Sequence, residues 1–145
     1  MLVALIQQLE KDLQEFYQLD INKNTDDINI PDFKEWVLKL FGEKAPVKEY
    51  TNFITNVNGV NYNGLYLYGI KPTDYSLDIM YNNDAWHEIE IQKKYLFFGH
   101  DDLSWYVWNK ESEEFQLIDK PGGKIIEVYK NLNDLMEEAL CTALS

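Results

Sequence analysis

Two histidines, one cysteine and a surplus of carboxylates are the residues of this 145-residue chain whose types could do chemistry. His100-Asp101-Asp102 sets an imidazole beside two carboxylates, the types a metal site draws on. A tight zinc site wants three or four convergent ligands, and the same three residues suit a polar turn between strands. His87 with Glu88 and Glu90 offers a second group, which converges only if a strand there keeps its register without a bulge. No Gly-x-Ser-x-Gly sets a serine at a nucleophile elbow. Gly122-Gly123 is followed by no Lys-Ser or Lys-Thr pair of a phosphate loop and reads as a turn. No Cys–His–acid spacing stands out. Cys141 falls among Ala139, Leu140 and Leu144 on a helical stripe, where it reads as a small buried side chain. The acid pairs Glu113-Glu114 and Glu137-Glu138 read as solvated faces. The expectation is a protein with no catalysis, metal or cofactor of its own. An enzyme or metal protein built on His87 and His100 is the rival.

What stands out instead is aromatic surface beside acidic charge. Ten Tyr, seven Phe and four Trp make 14% of the chain, and 25 acids against 13 bases give a net charge of −12. Nucleic acids repel such a chain, because binding their backbone depends on Lys and Arg neutralising phosphates. The charge has two readings: solubility, or the steering of a basic protein partner. Aromatic residues are enriched at the energetic centres of protein interfaces. The rows Tyr66/Tyr68 and Tyr106/Trp108, with Trp86 between them in sequence and Asp101 and Asp102 at the adjoining turn, are the candidate contact residues. The rival reading is that these rings fill the second side of the core.

The elements that must position them follow from periodicity. The run Tyr95 to Trp108 reads as two strands joined by a polar turn, Gly99 to Asp102. Tyr95 and Phe97 alternate with Leu96 and Phe98, and Leu103, Trp105 and Val107 with Ser104, Tyr106 and Trp108. Both faces are largely apolar, so the hairpin belongs in the middle of a sheet. Residues 2–19 read as a helix with Leu2, Leu5, Ile6, Leu9, Leu13, Phe16 and Tyr17 on one stripe. Residues 20–30 form a polar loop, rich enough in Asn, Asp and Thr25 to be a candidate for mobility.

Pro31 opens a second helix that presents Phe33, Trp36, Val37, Leu40 and Phe41 and ends at Gly42. Pro46 opens a third, with Val47, Tyr50, Phe53, Ile54 and Val57 inward and Asn58-Gly59 as its stop. A hairpin turned at Asn58-Gly59 is the alternative. Strand pattern begins at Asn63, with Leu65 and Leu67 on one face and Tyr66, Tyr68 and Ile70 on the other. Thr73 or Asp74 caps a helical turn over Ser76 to Tyr81, and Asn82-Asn83-Asp84 is a turn. His87 to Ile91 is either an edge strand or an irregular lead-in. Phe115 to Ile118 and Lys124 to Tyr129 are further strands. Asn131 and Asp134 open a last helix with Leu132, Leu135, Met136, Ala139, Leu140 and Ala143 inward. Helices, then antiparallel strands, then a helix argue for an α+β domain over 1–145: a mostly antiparallel or mixed sheet flanked by N-terminal helices and a C-terminal helix. No run approaches the ~18 apolar residues of a membrane span. Gln7, Gln8 and Glu10 interrupt the apolar N-terminus, which lacks the basic start of a signal peptide. A bacterial-type cytoplasmic protein is the expectation.

Several of these stretches resemble the SUKH superfamily, YrhA-like proteins included. Pro46 to Gly59 with Tyr50, Phe53 and Asn58-Gly59 is similar to the family's helix and cap, and Gly64 to Tyr68 to the strand after it. Tyr95 to Gly99, Asp101-Asp102 and Trp105-Tyr106-Val107 are similar to its central hairpin. Phe115, Asp119 and Val128 to Leu140 are similar to its closing strands and helix. The resemblance runs over roughly residues 30–144, carried by order and spacing. It implies an α+β fold and, for many members, an immunity role: binding and blocking a cognate bacterial toxin, often a nuclease, without catalysis. A toxin domain that is basic for nucleic acid would suit the acidic chain. The family holds regulators too, so a regulatory or scaffold protein that binds a host partner, with a homodimer also open, is the alternative.

Overall fold

A computed structural model describes residues 1–24 and 29–144. The apolar stripes form helices where the spacing of three and four predicts them: α1 (Leu2–Tyr17), α2 (Ile30–Phe41), α3 (Val47–Ile54) and, at the end, α5 (Leu132–Leu144). In α1 the stripe is buried at Ile6, Leu9 and Leu13, while Phe16 and Tyr17 are exposed, because the helix ends at Gln18, whose φ of 52° turns the chain away. Pro31 stands in the first turn of α2, and Tyr50, Phe53, Ile54 and Val57 are buried, so the stretch after Pro46 is helix and not the arm of a hairpin. Asn131 caps α5 by accepting the Asp134 N–H at 2.8 Å. In the loop after α1, Asn24 donates its N–H to Ile54 and Asn22 accepts that of Asn58. Thr25, Asp26 and Asp27, part of the stretch expected to be mobile, lie outside the described residues.

The strands β1 (Val60–Tyr62), β2 (Leu65–Leu67), β3 (Tyr95–His100), β4 (Ser104–Asn109), β5 (Glu114–Asp119) and β6 (Ile125–Tyr129) form one antiparallel sheet in that order. The fold is α+β, and the Tyr95–Trp108 hairpin is its centre. One strand was not legible: β1 precedes the expected start at Asn63. The hairpin signal weighed at Asn58-Gly59 is realised five residues later, where Asn63 and Gly64 take φ of 52° and 82° and close a two-residue turn between β1 and β2.

A helix, α4 (Ile79–Trp86), is inserted between β2 and β3. Asp74 caps the 3-10 turn Tyr75–Leu77 before it, and Asp78 caps α4 by accepting the Tyr81 N–H at 3.0 Å. Asn82-Asn83-Asp84, expected as a turn, is inside α4. His87 to Ile91 is the irregular lead-in and not a strand: a 3-10 turn covers Glu90–Lys94, and Ile89 and Ile91 are exposed. Cys141, expected to be buried, is exposed on α5.

Two buried asparagines substitute for missing strand partners. Asn83 accepts the Phe97 N–H at 2.8 Å and donates to the Phe97 carbonyl at 2.9 Å. Asn58 does the same for Ile70, at 2.8 and 3.2 Å. Beyond the short β2, no strand among the described residues neighbours the backbone at these points. A carboxamide carries an accepting oxygen and two N–H donors, so it pairs both buried backbone groups of one residue and keeps a donor for a neighbour, Ile79 for Asn83 and Asn22 for Asn58.

The register assigns the faces. Leu96 opposes Trp108, which opposes Phe115, and Gly99 opposes Tyr106. This face packs under helices: Phe98 stacks on Tyr50 of α3 and on Phe115, and Tyr62 meets Tyr17 of α1 edge-on. The other face carries Phe97, Trp105 and His100 and packs against Trp86 of α4. A bulge between Phe97 and Gly99 shifts the register, so His100 pairs with Trp105 and joins the α4 face. Strict alternation from Phe97 would have sent it to the other side.

Candidate functional site

The structure divides the seven candidate contact residues into three places. Tyr66, Tyr68 and Trp86 come together on the α4 face. Tyr68 is buried, its hydroxyl against His100 Nδ1 and accepting the Trp86 indole N–H at 3.0 Å. The His100 ring stacks on Tyr66 at 4.8 Å and 10°. Burial, and then the nearby Lys120 charge, push His100 down to about 4, so the imidazole is neutral at pH 7. Burial pushes the Tyr68 hydroxyl well up, against the pull of the Trp86 bond.

Three further residues complete this cluster outside the seven candidate contacts. His100, weighed as a metal ligand or a turn residue, is brought here only by the bulge. Trp105 lies edge-on to Trp86 at 5.4 Å, and its buried indole N–H has no acceptor among the described residues. Lys120 Nζ lies 5.8 Å from both indole rings and donates to the Asp101 carbonyl at 3.0 Å. The alternation of β4 already separated Trp105 from Tyr106 and Trp108. What the alternation could not say was which side α4 would cover.

Asp101, Asp102 and Tyr106 gather on the opposite face, at a cleft of about 330 Å³ between the β1–β2 turn, the β3–β4 turn and α5. Asp101 is turned inward. One oxygen accepts the Leu103 and Ser104 N–H groups at 3.0 and 2.8 Å, and the other accepts the Tyr106 hydroxyl at 2.8 Å. Burial raises the Tyr106 pKa, and the Asp101 bond and the Asp101 and Glu138 charges raise it further, so the phenol stays a donor. Asp102 is exposed, Glu138 of α5 lines the same cleft, and Leu103 stands 77% exposed on its rim. The arrangement can take a cation against carboxylates with an aliphatic contact beside it.

Trp108 joins neither place. It is 3% exposed between Leu96 and Phe115. Of the candidate rows Tyr66/Tyr68 and Tyr106/Trp108, the rings of Tyr68, Tyr106 and Trp108 are core, as the rival reading has it, and the surface belongs to Asp102, Leu103 and, in part, Tyr66 and Trp86. The reason is geometric, because a central hairpin in a sheet with helices on both faces has no free side for large rings.

His87, weighed as a metal or catalytic residue, has its Nε2 at 2.7 Å from the Tyr95 carbonyl and its ring between Phe41 and Phe97. Burial lowers its pKa. Among the described residues no three of His, Cys, Asp and Glu come together as a metal-binding group, and no helix is long and apolar enough to cross a membrane. No protein-family model matches the chain, and no curated protein matches it.

Proposed function

We propose that this protein is a non-enzymatic binding module of the immunity type, which binds a basic toxin domain and blocks it. The resemblance to the SUKH superfamily supplies the class. The observation that carries the reading is the carboxylate cleft of Asp101, Asp102 and Glu138, rimmed by the exposed Leu103, on a chain of net charge −12. A field of that sign speeds encounter with a basic domain, and the desolvated pairs formed at the cleft then fix its orientation. Asp101 is held by its three hydrogen bonds and meets a partner's cation without having to be ordered first.

The test begins at the neighbouring genes, since an immunity gene sits beside its toxin. Co-expression of the chain with the adjacent toxin product restores growth, and the purified pair binds with an association rate that falls as salt rises. Asp102→Lys slows association about tenfold without lowering the melting temperature. An adjacent basic toxin domain that does not bind at low salt would sink the reading.

A further inference from the structure

The last strand of the sheet is left open. β6 has its inner edge on β5, and among the described residues no strand pairs with its outer edge. Ile125, Ile126 and Val128 are 50%, 53% and 43% exposed along it. A register shift between Leu117 and Ile118 leaves Ile126 without a partner on β5, and the five-residue edge still presents unpaired backbone donors and acceptors that template the addition of another strand.

Charge says what kind of strand. Glu127 opposes Leu117, and Leu117 lines the cleft beside Glu138, so Glu127 lies on the α5 side of the sheet. Tyr129 donates to Glu138 at 3.2 Å; burial raises its pKa most, and the charges of Glu138 and Glu127 add to it. Glu127 thus stands at the middle of the strand and Glu138 at its Tyr129 end on one side, with Ile125 and Val128 exposed on the other. A second copy is a poor occupant. A symmetric antiparallel pairing centred on Glu127 sets that residue opposite itself and Lys124 opposite Lys130, and like charges directly opposed destabilise a pair. Lys124 and Lys130 at the two ends equally disfavour a strand that is basic throughout.

We infer that β6 is a strand-addition site. An extended segment of the partner, with one Lys or Arg between two aliphatic residues, pairs antiparallel along its outer edge and sets the cation against Glu127 and Glu138. This rests on the reading that the partner is a basic protein, and it adds where and by what backbone geometry that partner is held.

The probe is a capped peptide, acetyl-Thr-Thr-Val-Lys-Val-Thr-Thr-amide, titrated into the isotope-labelled full chain, with Glu in place of Lys as control. Amide shifts concentrate at residues 125–129, the Glu peptide binds at least tenfold more weakly, and the double variant Ile126→Lys, Val128→Lys loses the shifts while keeping its melting temperature. Shifts confined to Asp101, Asp102 and Leu103, or none up to about 10 mM peptide, overturn the assignment. A concentration-dependent dimer that Ile126→Lys dissolves gives the edge to a second copy and overturns it as well. With the toxin domain itself, binding that is lost with Asp102→Lys but untouched by the double variant removes β6 and leaves the immunity reading standing. Absence of any binding removes the latter alone if the peptide still pairs.

Discussion

The two edges of the sheet are built in opposite ways. At the β1 edge, Val60 and Tyr62 are buried; the Tyr62 hydroxyl donates to Asp12 of α1 at 3.1 Å, and its ring meets Tyr17. Asn58, just before it, reaches across to tie Ile70 and is itself tied to Asn22. At the β6 edge four of five residues are exposed, three of them aliphatic. One edge is a closed joint that ties α1, the loop after it and the chain beyond β2 together. The other contributes little packing and leaves its backbone available. Packing is thus concentrated at one end of the sheet, and an uncovered strand edge stands at the other.

That contrast can be broken at four points. The largest effect is expected at Gly69, where an added Cβ would sit against the Asn58 side-chain oxygen and 2.6 Å from the Asn58 carbonyl carbon. Gly69→Ala costs about 3 kcal/mol in urea unfolding, since neither backbone can give way without breaking the Asn58–Ile70 pair. Asn58→Ala comes next, at about 2 kcal/mol, because it leaves the Ile70 N–H and carbonyl buried and unpaired. Asn83→Ala at Phe97 is its internal control and behaves alike.

The third is a pH effect. His100, where β2 meets β3, binds its proton near pH 6.5 in the unfolded chain but only at about 4 when folded. Between those values the unfolded state carries the extra proton, so stability falls as pH drops from 6.5 toward 4 and levels off below. Burial lowers the pKa of His87 as well and adds an effect of the same sign. His100→Gln makes the urea midpoint less steep between pH 6.5 and 5. An unchanged slope would mean that the imidazole is not shielded. The smallest effect is at the open edge: Ile126→Lys or Val128→Lys shifts stability by less than about 0.5 kcal/mol. A loss above 1 kcal/mol there would show that β6 is packed like β1 and would erase the contrast.

The helices were legible because each buries one stripe, and a period of three and four survives whatever lies beneath it. The Tyr95–Trp108 hairpin was legible as central because both its faces are apolar. β1 was not, since Val60-Asn61-Tyr62 is too short for alternation to register, and the preceding Asn58-Gly59 carries the same turn signal as the true Asn63-Gly64. Asn83 carries a turn signal by its type, and only the tertiary need of Phe97 makes it a helix residue facing inward. The candidate site suffered most from the β3 bulge. One extra residue moves His100 to the α4 face and leaves Tyr106 on the other, so the two ring rows Tyr66/Tyr68 and Tyr106/Trp108 occupy opposite sides of the sheet. Asp101, Asp102 and Tyr106 did converge, because a turn aspartate and the strand it caps are neighbours under any register.

The repeated Asn-Gly pair has a consequence for ageing. Deamidation begins when the glycine nitrogen attacks the side-chain carbonyl carbon of the preceding asparagine, a step that needs a mobile amide. In Asn58 that amide is buried and gripped by Ile70 and Asn22, so this pair is shielded. Asn63 is exposed, and its amide is tethered by one bond, 2.7 Å to the Ala143 carbonyl at the mouth of the acidic cleft. Stored protein is therefore expected to convert at Asn63 before Asn58, trading that tether for a new carboxylate at the cleft, an order that peptide mass mapping of aged samples reads directly.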